Sequence, residues 1–277
     1  MKIMIMTDME GVSGVLNHGD WVLPSGRFYD KGVRLLTEEV NAAVAGLFDG
    51  GATEVVVVDG HGAGGIDPEL LDERAWLSRG AGPKPEPWGL SPNYAGLAYV
   101  GQHAKAGTPY SHITHTQWFN YIDLAVNGIS IGEYGQMALS AMEYGVPTIL
   151  ACGEKAFAAE AEALTPGVVS VWTKQGLLPD DGMEHLDTDA YRKAKLSAVH
   201  MSPRRARQLI REGAREAMRK LRENRSAFRY PSIQPPYVRT ARFRKFGDTP
   251  PWQARDTHPT SLVELINMPY TKVAGGL

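Results

Sequence analysis

Two uninterrupted apolar runs constrain this chain most. "KIMIM" at residues 2–6 and "EVVVVD" at 54–59 lack the polar alternation of a strand with one wet face, so each reads as a strand buried on both sides. Between them Val33, Leu36, Val40, Val44 and Leu47 recur at helical spacing, and Gly50-Gly51 supplies a C-terminal stop. Strand, helix, strand predicts a βαβ unit with parallel strands.

The pattern continues through a strand "YAGLAYVG" at 94–101, a helix from Glu133 to near Gly145 and a strand "PTILAC" at 147–152. The alanine-rich helix "EKAFAAEAEAL" and the strand "VVSVW" at 168–172 follow. "IDLAVNGISI" interrupts this order, and its Asn-Gly pair between two apolar runs predicts a hairpin turn. Beyond a polar connector, a helix is expected from about Ser202 to Asn224, with a serine N-cap and Pro203 at the first position. Its buried stripe is Ala206, Leu209, Ile210, Gly213, Ala217, Met218 and Leu221. Its arginines and lysines lie off that stripe among glutamates, which reads as a solvated face rather than a nucleic-acid surface. "YPSIQPPY" at 230–237 is a stiff linker, and "YVRTARFRK" alternates like a half-exposed strand. The expected fold class is α/β: a mostly parallel sheet flanked by helices over residues 1–175, carrying catalysis and metal, with a smaller α+β domain over 176–277.

Composition limits the partners. A formal charge of −2 over 277 residues gives no reason to expect nucleic acid or an anionic membrane, so small molecules or peptides are the better fit. The single cysteine, Cys152, excludes an intramolecular disulfide and reads as a small core residue in a reducing cytoplasm. The apolar N-terminal stretch is too short for a signal peptide, and no run reaches the roughly 18 residues of a membrane span.

In an open parallel sheet, functional groups collect beyond the carboxyl ends of the strands. Asp8 and Glu10 follow the first strand in "TDMEGVSG", His61 follows the second in "VVDGHGAGG", and His103 follows the third in "GQHAKAG". Glu133 stands where "NGISIGEYG" turns into a helix. Each alone has a plain alternative as a capping acid, a loop histidine or a helix-dipole partner. Together they put five ligand-type residues on one edge, and mixed imidazole and carboxylate donors suit zinc. Five exceeds the three protein ligands of a usual catalytic zinc, so two ions are expected, with Asp8 as candidate bridge.

"GHGAGG" at 60–65 also fits a dinucleotide-binding glycine pattern, but no amphipathic helix is expected after it. It is better read as a flexible loop near the site. His112 and His115, in "PYSHITHTQWF", add imidazoles suited to nucleophilic or acid/base work, and the residues alone do not choose between them.

The segments "TDMEGVSG", "VVVDGHG", "GQHAKAGTP", "SHITHT", "NGISIGEYG" and "WTKQGL" occur in order over most of the first 175 residues. In this the chain resembles the zinc-dependent D-aminopeptidases of the dipeptide-transport type. The resemblance implies an enzyme with two zinc ions per subunit, held by Asp8, Glu10, His61, His103 and Glu133, and assigns His115 as nucleophile. It also implies cleavage of short peptides with an N-terminal D-residue such as D-alanine, and a cytoplasmic homo-oligomer, a decamer in the family's known member. The chain departs from the pattern in one extra residue between His103 and His115 and in Gly60 where a serine is expected. The alternatives are a zinc hydrolase of L-peptides, other amides or phosphoesters, and a non-catalytic metal-stabilised binding protein. A phosphoester substrate would call for cations, and only Lys105 and Lys174 are at hand.

Overall fold

The computed structural model describes residues 1–80, 87–180 and 182–274. Its strands are β1 Lys2–Thr7, β2 Glu54–Val58, β3 Ala75–Ser78, β4 Gly96–Gln102, β5 Tyr121–Val126 and β6 Ile129–Ser130, followed by β7 Thr148–Glu154, β8 Val169–Gly176, β9 Ala198–His200, β10 Tyr237–Phe243, β11 Trp252–His258 and β12 Lys272–Val273. Its helices are α1 His18–Trp21, α2 Tyr29–Asp49, α3 Glu133–Glu143, α4 Lys155–Leu164, α5 Thr188–Ala194, α6 Pro203–Glu223 and α7 Leu262–Asn267.

The larger sheet has seven strands in the order β3-β2-β1-β4-β7-β8-β9, parallel except for the last pair. The continuous apolar runs follow from its position between two layers. Ile3, Ile5, Val55 and Val57 face Leu36, Val40 and Leu47 of α2 and Ile210 and Met218 of α6. Met4, Met6, Val56 and Val58 face the other way, into a core shared with α3, α4 and the smaller sheet. This is the expected α/β class, with a five-stranded antiparallel sheet, β12-β11-β10-β5-β6, as its smaller part.

Several local expectations coincide with observed elements. Ser202 caps α6 by accepting from the Arg205 amide, with Pro203 in the first turn. On the buried stripe, Ala214 takes the place expected for Leu209, which is only half-buried. Asn127 and Gly128 both have positive φ, as a type I′ hairpin turn requires.

Sheet membership does not follow the expected division at residue 175. The β5–β6 hairpin belongs to the smaller sheet, where β5 pairs with β10, and β9 and α6 belong with the larger one. The connector read as polar holds α5 and β9. After "GHGAGG" the chain passes through turns to β3, so the helix a dinucleotide site needs does not begin there. Part of the Pro/Gly-rich stretch beyond lies outside the described residues. Cys152 is a free, fully buried core residue. Among the described residues no helix is long and apolar enough to cross a membrane.

Candidate metal centre

The chain leaves β1 and crosses over to β2 on one side, while β4 lies on the other. That reversal opens a crevice at the carboxyl ends of β1 and β4, the place where open α/β sheets bind ligands. Asp8 and Glu10 enter it from β1, His61 from β2 and His103 from β4. Glu133 enters as the first residue of α3, and His115 from the loop between β4 and β5.

The loop after β1 approaches the end of β4 closely enough to exclude side chains. The Asp8 amide donates to Val100 O at 3.0 Å and the Gly11 amide to Gly101 O at 2.6 Å. Gly101 sits at φ 81°, and a Cβ there would collide with Asp8 O. Glycine is the residue that fits.

The five expected ligands come together with His115. Asp8 Oδ1 is 3.1 Å from His61 Nδ1, and its Oδ2 is 3.2 Å from His103 Nε2. Glu10 Oε2 is 3.4 Å from His61 Nδ1, and Glu133 Oε1 is 3.4 Å from His103 Nε2. His115 Nε2 lies 3.8 Å from Glu133 Oε1 and 4.0 Å from Glu10 Oε1. His103, His115 and Glu133 present donor atoms all within 4.8 Å of one another, as do Asp8, Glu10 and His103. Either set could hold a divalent cation.

Each histidine is tied through one ring nitrogen to a backbone carbonyl: His61 Nε2 to Val22 O at 3.2 Å, His103 Nδ1 to Ala104 O at 2.9 Å and His115 Nδ1 to Ile113 O at 2.9 Å. A carbonyl only accepts, so the tied nitrogen carries the proton in the neutral ring and the other presents its lone pair to the carboxylates. His103 Nε2 and Glu10 Oε2 are buried without hydrogen-bond partners. Lone pairs facing carboxylate oxygens in a buried site need a cation or a proton between them. A backbone carbonyl on the second ring nitrogen of an imidazole is an arrangement usual around metal ligands.

The charges tell the same story. Burial works against the charged form of His61, but Glu10 and Asp8 overcome it and hold the imidazole up to about 12. His103 is likewise raised against its burial, by Glu133 and Asp8. Burial opposes ionisation of Glu133, yet His103 and His115 bring it down to about 2. His115 is lowered by burial and by the neighbouring His103. A field that holds protons this firmly is one that attracts cations.

His112 stands apart: its Nε2 donates to Leu16 O at 3.1 Å, and it does not line the cavity that His115 lines. Burial, with Lys174 and His200, lowers it to about 2. That cavity holds about 520 Å³, and no lysine or arginine is among its described lining residues. Lys174 is fully buried, giving its ammonium to Glu10 O and Val15 O, and Lys105 binds Ser130 O at 2.9 Å. The cations that a phosphoester substrate would need are therefore engaged elsewhere.

Three contributors escape the sequence reading. Gln102 donates to Asp8 Oδ2 at 3.0 Å, and its place beside His103 was the only available signal. Arg79 binds the carbonyls of Asp59, His61 and Gly62 at 3.0, 2.7 and 3.0 Å, fixing the glycine-rich loop. His18, in α1, lines the cavity, and nothing about a lone histidine marks it.

The chain is similar to known proteins. The family model Peptidase M55, described as D-aminopeptidase, matches residues 1–249. A D-aminopeptidase of Bacillus subtilis (strain 168) is 35% identical over 178 residues, which is 63% of this chain, and the chain spans 64% of that relative's length. A solved structure described as a Zn-dependent D-aminopeptidase, DppA from Bacillus subtilis, a self-compartmentalizing protease, superposes with a TM-score of 0.79 at 26% identity. It covers 96% of this chain and 94% of its own.

Proposed function

The chain belongs to the Peptidase M55 family of D-aminopeptidases, and from that premise we propose that it is a zinc-dependent aminopeptidase acting on short peptides with an N-terminal D-residue such as D-alanine. The observation that carries this reading is the set of three imidazoles, each tied to a carbonyl through one nitrogen and turned toward a carboxylate with the other. Asp8, Glu10, His61, His103 and Glu133 would hold two zinc ions, with Asp8 facing both His61 and His103 and so suited to bridge. The orphaned His103 Nε2 and Glu10 Oε2 fit that assignment, since a cation gives both a partner. Zinc, when bound, supplies Lewis acidity that polarises the scissile carbonyl and makes water a better nucleophile near neutral pH.

The remaining chemistry belongs to the chain. His115 donates from Nδ1 to Ile113 O, which leaves the Nε2 lone pair directed into the cavity. As water adds to the carbonyl carbon, Nε2 takes its proton and returns it to the departing amine as the C–N bond breaks. The nucleophile that the family resemblance assigns to this position would use the same lone pair. The stacked ring of Phe119, centroids 4.3 Å apart, holds the imidazole in plane and shields it from bulk water. A carboxylate oxygen left free by the zinc ions would accept a hydrogen bond from the peptide's free amine, which favours exopeptidase action. The likeness to a self-compartmentalizing protease supports a homo-oligomer here, such as the decamer of the family's known member.

The test is release of D-alanine from D-Ala-D-Ala against L-alanine from L-Ala-L-Ala, using metal-stripped protein with and without added zinc. Zinc-dependent cleavage of the D-dipeptide alone is expected. Cleavage of the L-dipeptide would make it an L-aminopeptidase, and cleavage of neither would move the search to other amides.

A further inference from the structure

His18 is the one cavity-lining histidine that the proposed chemistry leaves unused. It is the first residue of α1, where the Asn17 side chain caps the turn by accepting from the Asp20 amide at 2.7 Å. It is 3% exposed and lines the same cavity as Glu10, His61, His115 and Glu133. Its Nδ1 is buried without a hydrogen-bond partner, whereas buried polar atoms are nearly always paired.

What holds the ring is aromatic packing. Phe119 meets it edge-on with centroids 4.9 Å apart, Trp118 at 5.4 Å, and His115 lies beyond at 6.3 Å. His61, His103 and His115 are each fixed by a backbone carbonyl, and among the described residues no such tether reaches His18. Nδ1 is shielded, so the edge that the ring can offer to what enters the cavity is the one bearing Nε2.

We propose that His18 is a substrate-binding residue that hydrogen-bonds the residue on the leaving side of the scissile amide. The inference rests on the aminopeptidase reading. There the peptide's free amine and its reacting carbonyl both lie at the metal centre, the carbonyl beside His115 Nε2. His18 stands one ring beyond His115, so it meets the part of the peptide past the scissile bond. An imidazole N–H donates to the carbonyl or carboxylate oxygen of that second residue. The preferred substrate is then an unblocked dipeptide or short peptide rather than a simple amino-acid amide.

The test compares wild type with H18F, H18L and H18Q on D-Ala-D-Ala and on D-alaninamide, which has no second residue, with zinc content measured on each protein. If the wild type prefers the L-enantiomers, they are used instead. H18F keeps the aromatic packing and removes both nitrogens, H18L repeats the comparison without a ring, and H18Q keeps a donor. The expected result is a rise of about tenfold in KM for the dipeptide in H18F and H18L, as for one lost hydrogen bond. Turnover number changes far less, D-alaninamide is unaffected, zinc content is full, and H18Q recovers most of the affinity. An unchanged dipeptide KM in a zinc-loaded H18F or H18L, or an equal loss on both substrates, overturns the inference and leaves the aminopeptidase reading standing. A wild type that cleaves no peptide overturns both.

Discussion

The imidazole rings of His103 and His115 lie stacked, centroids 4.0 Å apart and planes 15° apart, and both turn Nε2 toward the same oxygen of Glu133. They differ in what else they face. His103 also meets Asp8 at 3.2 Å, inside the cluster of acids, whereas His115 stands farther from every carboxylate. Substitution should separate them: His103→Ala is expected to lose zinc together with activity, and His115→Ala to keep full zinc while turnover falls at least about 100-fold. Metal analysis beside a rate assay decides, and zinc loss in His115→Ala would make that residue a ligand.

Three carboxylates at one point, the buried Asp8 and Glu10 and the half-buried Glu133, repel one another unless cations intervene. Stripping the metal is therefore expected to lower the melting temperature, and zinc to restore it. At free zinc 100-fold above its Kd the gain is about 2.7 kcal/mol. Thermal melts in chelator and in graded zinc measure it; a melt indifferent to zinc would count against a metal centre.

Arg79 holds three carbonyls of the loop that carries His61, a loop whose glycines offer no side chains to hold it otherwise. Arg79→Ala should weaken zinc binding by roughly tenfold, as loss of a second-sphere contact does, with little change in the fold's melting temperature. Competition with a chromogenic chelator reads this directly. Arg79→Lys, which cannot span three carbonyls at once, should recover only part.

Gly101 is at positive φ with Asp8 O where a Cβ would go. Gly101→Ala must push the loop after β1 away from the end of β4, at a cost of about 2 kcal/mol or more. Denaturant unfolding should show this. A crystal structure of the variant with that loop unmoved would contradict the packing argument.

Glu39 is buried in α2, accepts from the Ser13 amide at 3.0 Å, and burial raises its carboxyl to about 8. The folded state thus keeps a proton that the unfolded chain gives up near pH 4.5. Its contribution is complete below that pH and falls as the pH rises toward 8, by up to about 1.4 kcal/mol per unit. In Glu39→Gln this slope should vanish. Urea midpoints across pH 5 to 8, wild type against variant, give the comparison.

The parallel core and the ligand edge were legible because both write themselves locally. A strand buried on two faces must be apolar throughout, as at residues 2–6, and acids directly after it must lie at the sheet's carboxyl edge. What could not be read was partnership. The Asn127-Gly128 turn announced a hairpin, but its sheet is set by β10, and the Val238 amide reaches Asn127 Oδ1 across 111 positions. No periodicity near residue 127 records that. Lys174 lies just past the strand expected at 168–172, but β8 continues to Gly176 and draws it inside. Gln102 and Arg79 act through contacts to single atoms, which leave no pattern in composition or spacing.

The smaller sheet has a consequence for the order in which the centre can form. Glu133 begins α3 three residues after β6 ends, and β6 is held by β5, whose other neighbour is β10 near the chain's far end. A ribosome that has delivered residues 1–175 has already made every acid and histidine of the centre, yet the sheet that carries Glu133 still lacks three of its five strands. On the proposed reading, the setting of the centre is complete only once β10, β11 and β12 have joined β5 and β6, and a polypeptide cut before residue 237 lacks that support.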